Sequence, residues 1–126
     1  MSERMFAQYD YSNFPEVKVT FHGTIKDPND FLWFTQQWIN LYVDQKEFQF
    51  LFDMKDIGLV NPYYSYKMAS FISELKQHPI QYLTKSTIIN INSFTKYLLW
   101  IVFKIQKPVA PVEMIYNDGT SSIVTP

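Results

Sequence analysis

Cysteine is absent from this chain, which excludes disulfides, thiolate metal sites and a cysteine nucleophile. That absence fits a reducing compartment. Glycine is scarce: Gly23, Gly58 and Gly119 stand far apart, leaving no GxGxxG fingerprint, no Walker loop and no GxSxG elbow. Histidine is scarcer, and neither HxxxH nor HxH spacing brings His22 and His78 together as zinc ligands. Positive charge is not in excess either. The 11 basic and 12 acidic residues give a net charge of −1 with no Lys/Arg run, so the summed field that nucleic-acid binders turn on phosphate is missing. Long apolar runs are also lacking. The greasiest stretch, "YLLWIVFKIQKP" (97–108), has seven uncharged residues before Lys104, against the roughly 20 that a membrane-spanning helix needs. The opening "MSERMFAQYDYS" has no apolar core of signal-peptide length. The expectation is a cytoplasmic protein with no transmembrane segment, no cofactor and no metal.

What the sequence does hold is apolar and aromatic mass. Hydrophobic residues make up 47% of the 126 and aromatic residues 18%, a composition that builds a core. A chain of this length reads as one domain, 1–126, burying about two thirds of its unfolded surface. Residues 1–14 form an N-terminal arm or strand, and the polar "NDGTSSIVTP" (117–126) is a flexible tail.

Punctuation marks the helices. Asp27 before Pro28, and Asn61 before Pro62, each place a side-chain cap ahead of a proline at the first helical position. In "NINSFTK" the cap is Asn92 or Ser93. Pro79 and Pro108 mark the stops. The intervening periods predict helices over 28–45, 62–78 and 93–106. Strands are predicted at 5–11, 17–25, 47–54, 85–91 and 111–116 from alternation and β-branched content. The fold class is therefore α/β: a single mixed, mostly parallel sheet with crossover helices in the order β-β-α-β-α-β-α-β.

The third helix carries more apolar surface than one face of a sheet covers. Placing Phe94, Tyr97, Leu98, Ile101 and Ile105 toward the sheet leaves Leu99, Trp100 and Phe103 outward. Terminal segments of this chain cover them, or they contact a protein partner, a second copy in a homodimer, or a lipid. Trp100 and Phe103 together bury roughly 300–500 Å² at typical aromatic areas, about 7–12 kcal/mol gross at ~25 cal/mol per Å². Association costs about 4–15 kcal/mol, so the patch needs neighbours such as Trp33.

Candidate chemistry is thin. Asp53 and Asp56 in "LFDMKDIG" lie at the end of a central strand, where ligands bind in open α/β sheets. They either bind a cation such as Mg²⁺ or fix the loop by accepting from its amides. "FQFLFDMKDIG" followed by "LVNPYYSYKMASFISELKQ" resembles the anti-sigma-factor-antagonist (STAS) domain and its relative, the CRAL-TRIO lipid-binding domain. In both, a central strand ends in an Asp and a small loop before an amphipathic helix. "TIININ" and the segment through "KPVAPVEMI" resemble the CRAL-TRIO ending, and the resemblance spans about residues 15–116. It implies a STAS-like fold and binding or regulation without catalysis. Phosphorylated STAS domains carry a Ser at the start of the helix after that loop. Here Asn61 and Pro62 stand there, and Ser65 comes a turn later.

Overall fold

The computed structural model describes residues 5–126; the start of the expected N-terminal arm, residues 1–4, lies outside them. Nine elements follow in order: β1 (Ala7–Asp10), β2 (Glu16–Gly23), α1 (Pro28–Val43), β3 (Phe48–Ile57), α2 (Tyr63–Leu75), β4 (Leu83–Ile91), α3 (Ser93–Ile105), β5 (Val112–Tyr116) and β6 (Ser121–Val124). The expected α/β architecture is present, with one addition. The stretch expected as a flexible tail contributes β6, which turns back after Gly119 and pairs antiparallel with β5. Gly119 has φ +88, a backbone state that glycine adopts without a steric penalty.

Side chains cap α1 and α3 where expected, whereas α2 begins one residue later than expected, at Tyr63, with Pro62 itself at the cap position. Asp27 and Asp30 make a capping box at α1, and the Asn92 carboxamide accepts the Thr95 amide at 2.8 Å to open α3. At α2 the Asn61 carboxamide accepts the Tyr63 amide at 3.0 Å. Each bond satisfies an amide that the first helical turn leaves without a partner.

Strand order in the sheet is β1-β2-β3-β4-β5-β6, the order of the sequence. Strands β2 to β5 are parallel, and the antiparallel β1 and β6 flank them. Sequential parallel strands joined by right-handed crossovers put every crossover helix on the same face. Accordingly Trp38 of α1, Ile72 of α2 and Val102 of α3 meet over Phe52, Ile88 and Val112 of the sheet. The result is two layers. Val17, Val19 and Phe21 of β2 and Phe48, Phe50 and Phe52 of β3 point to the helices and are buried. Their alternating neighbours point the other way. Among the described residues no helix covers that second face, which carries the register row Asp10, Lys18, Leu51, Thr87, Glu113 and Ile123 across all six strands.

Aromatic rings fill the space between the layers. Phe50 lies 4.7 Å from both Trp38 and Phe52, centroid to centroid, with the tilted and edge-on geometries that the ring quadrupoles favour.

The stripe expected on α3 is rotated. Thr95, Leu98, Ile101 and Val102 are buried, whereas Tyr97 and Ile105, expected toward the sheet, are exposed. Leu99 and Phe103, expected outward, are half-buried against the core. The cause is lateral cover. α3 packs on α2 along one side, where the buried Ser65 hydroxyl donates to the Leu98 carbonyl at 3.0 Å. Its other side faces Met114 and Val124 of the β5–β6 hairpin across a groove.

Candidate functional site

The residues singled out in the sequence separate into four places. Leu99, Trp100 and Phe103 come together in a groove of about 400 Å³ between α3 and the β5–β6 hairpin. Leu99, Phe103, Met114 and Val124 form its apolar floor, and Trp100 and Tyr116 its aromatic walls. Trp100 is 57% exposed and stacks on exposed Tyr97 at 6.4 Å and 17°. Trp33 is not part of this surface. It sits on α1 at the opposite edge of the sheet, edge-on to Tyr9 of β1 at 5.9 Å. The expectation that Trp33 enlarges the α3 patch is corrected accordingly.

Lysines rim the groove: Lys96, Lys104 and Lys107 line it, and no carboxylate among the described residues does. Lys104 Nζ lies 4.9 Å from the centre of the Trp100 ring, and Lys96 Nζ lies 4.5 Å from that of Tyr116, within the reach of cation–π attraction. Asp118, in the turn before β6, is the nearby acid. Hydrogen bonds from Thr120 hold its carboxyl below the usual range, with a smaller contribution from Lys96, so it is ionised and offsets part of the charge at one end. Lys104 also stands in the last turn of α3, where a cation suits the helix dipole.

Asp53 and Asp56 do not lie in a loop. β3 runs on to Ile57, so both are strand residues. Asp53 is on the open face, where its carboxylate accepts the Asn90 carboxamide at 2.9 Å and the Lys55 amide at 3.0 Å. Partial burial raises its pKa, but those bonds and the charges of Lys18 and Lys55 outweigh that and leave it lowered. The bonding resembles the structural alternative, except that Asn90 ties two strands together instead of closing a loop. Asp56 faces His22, with Oδ2 3.9 Å from Nδ1. No group of three or more His, Asp or Glu side chains suited to a metal occurs among the described residues. Ser65, also expected near the loop, is inside α2 and 5% exposed, fully engaged with Leu98.

A feature without a sequence signal is an apolar cavity of about 130 Å³ between the sheet and the three helices. Phe52, Met54, Ile72, Val102 and Ala110 line it, with Ser86 of β4 supplying a hydroxyl. Ser86 is buried and sits in register between Phe50 and Val112. A small side chain among large ones leaves the space open. An adjoining void of about 100 Å³ shares Met54, Met68 and Leu99 and reaches Thr95, whose buried hydroxyl has no hydrogen-bond partner.

No family model matches this chain, and no curated protein or solved structure matches it either. No helix among the described residues is long and apolar enough to cross a membrane.

Proposed function

We propose that this chain is a non-enzymatic, cytoplasmic protein-interaction module of STAS-like fold that docks a partner on the outer side of α3. The observation that carries the reading is the groove itself: an exposed Trp100 over an apolar floor, rimmed by Lys96, Lys104 and Lys107. Large amphipathic rings beside a desolvated floor are the composition of interface hot spots. The lysine rim selects for charge. The partner is accordingly a protein segment that brings acidic side chains to the rim and one large apolar side chain to the floor.

A second copy of the chain fits less well. A two-fold interface places the same patch against itself, which would bring the three lysines of one copy against those of the other. A lipid, implied by the CRAL-TRIO resemblance, also fits less well. The interior space of about 130 Å³ falls short of the ~300 Å³ at which pockets for drug-sized ligands begin.

Selection from a random peptide library tests the reading, with Trp100→Ala and Lys104→Glu proteins used for counter-selection. Peptides that survive should be acidic and carry a single aromatic or leucine anchor. Neutral or basic winners, or binding indifferent to both substitutions, would refute it.

A further inference from the structure

We infer that the cavity beneath α3 is a binding site for a small, uncharged, mostly apolar molecule, one ring or a short branched chain with a single hydrogen-bonding group that pairs with Ser86. The volume, about 130 Å³, is close to that of the ~150 Å³ apolar cavity that binds benzene or xenon and stays dry when empty. Water suits it poorly, because a bound water needs two to four polar partners and this lining is almost wholly aliphatic and aromatic. Met54 and Met68 border it, and the flexible thioether side chain lets such a wall adjust to its occupant. The Ser86 hydroxyl, buried in the middle of β4, discriminates between a ligand carrying a polar group and a bare hydrocarbon.

The site is also placed to influence the surface. Leu99 and Phe103 line both the cavity and the lysine-rimmed groove, so an occupant on one side pushes on the wall of the other. Any such coupling is reciprocal. The cavity assignment does not depend on the groove binding a partner.

The test is a spectrum of the whole wild-type protein labelled with ¹³C at its methionine methyl groups, titrated separately with benzene and with phenol. Met54 and Met68 should shift together and saturate, while Met114, which borders the groove alone, stays close to its starting position. Ser86→Ala should leave benzene unaffected and weaken phenol about fivefold, the value of one neutral hydrogen bond; Thr95→Val should change neither. Failure of both probes to shift Met54 and Met68 up to their solubility limits overturns the inference. So does a response led by Met114, or a loss of phenol in Thr95→Val that Ser86→Ala does not show.

Discussion

Trp100 stacks on Tyr97 almost parallel, 17° between planes and 6.4 Å between centroids, and both rings face solvent from one side of α3. One residue on, Ile101 is buried, as is Leu98. The two sides of this helix therefore separate an exposed aromatic surface from the buried core.

Trp100→Ala should leave the urea midpoint nearly unchanged, costing at most about 1 kcal/mol for the lost stacking and the Lys104 contact. Leu98→Ala, two residues away on the buried side of the helix, should cost about 2–5 kcal/mol through the cavity it leaves. Chemical denaturation of the two variants measures the contrast. Equal losses would mean that Trp100 is part of the core.

Ser65 joins α2 to α3 by donating to the Leu98 carbonyl. Ser65→Ala should destabilise by about 1 kcal/mol. Ser65→Asp should cost several times more, since it forces a carboxylate into a site that is 5% exposed. Thermal melts of both variants check this. A Ser65→Asp protein as stable as the wild type would show that this position accommodates charge and reopen it as a modification site.

Tyr42 makes the protein sensitive to alkali. Burial raises its pKa to about 12, against a smaller opposing effect of the Trp38 indole N–H. Its hydroxyl donates to Gln81 at 2.7 Å. The Trp38 N–H is itself buried with no hydrogen bond formed, so burial is the cause that stands. A raised folded-state pKa contributes stability that is complete below the unfolded value near 10 and is lost as pH rises toward 12. Tyr9, raised by burial and by Tyr11, acts in the same direction. The melting temperature should fall between pH 10 and 12, and less steeply in Tyr42→Phe. Parallel curves for the two proteins would contradict this.

Asp53 acts at the other end of the pH scale. Its folded-state pKa is lowered, so the stability it contributes is present above the unfolded value of about 3.9 and is lost as pH falls through the folded one. Asp53→Asn should flatten the acid limb of the melting curve. Asn90 has φ +60, a left-handed state that Asn tolerates better than most residues. Asn90→Ala should therefore lose both the bond to Asp53 and the backbone fit, whereas Asn90→Gly loses only the bond. Ranking the two melting temperatures decides it, with Asn90→Gly expected to be the more stable.

Element type and order were legible because caps, prolines and periods agreed: Asp27–Pro28, Asn92 and Pro108 bracket helices within a few residues of their observed ends. The one-sidedness of the sheet was not drawn from the sequence, although the alternation of "EVKVTFHG" and "FQFLFD" encodes it. A parallel strand covered on both faces reads as a continuous apolar run, and these do not. The rotation of α3 was not legible, since it depends on which neighbours flank the helix, and β6 came from a segment whose polar residues gave no strand signal. The extent of β3 was misjudged beyond Met54, since the strand runs on through Asp56 to Ile57. Acidic residues suggest a strand end, but an uncovered face tolerates them in mid-strand. The cavity depends on how Ser86 falls among rings from other elements, which no local pattern encodes.

The lysine-rimmed groove is the proposed docking site, and ¹⁹F spectra of protein labelled with 5-fluorotryptophan probe it directly through Trp33, Trp38 and Trp100. On titration with a synthetic acidic peptide carrying one leucine among glutamates, the Trp100 resonance should move alone. The effect should shrink with added salt, as screening of exposed charges requires, and vanish in a Lys96→Glu, Lys104→Glu protein. Movement of Trp33 in its place, or a Trp100 signal unmoved throughout the titration, would contradict the account.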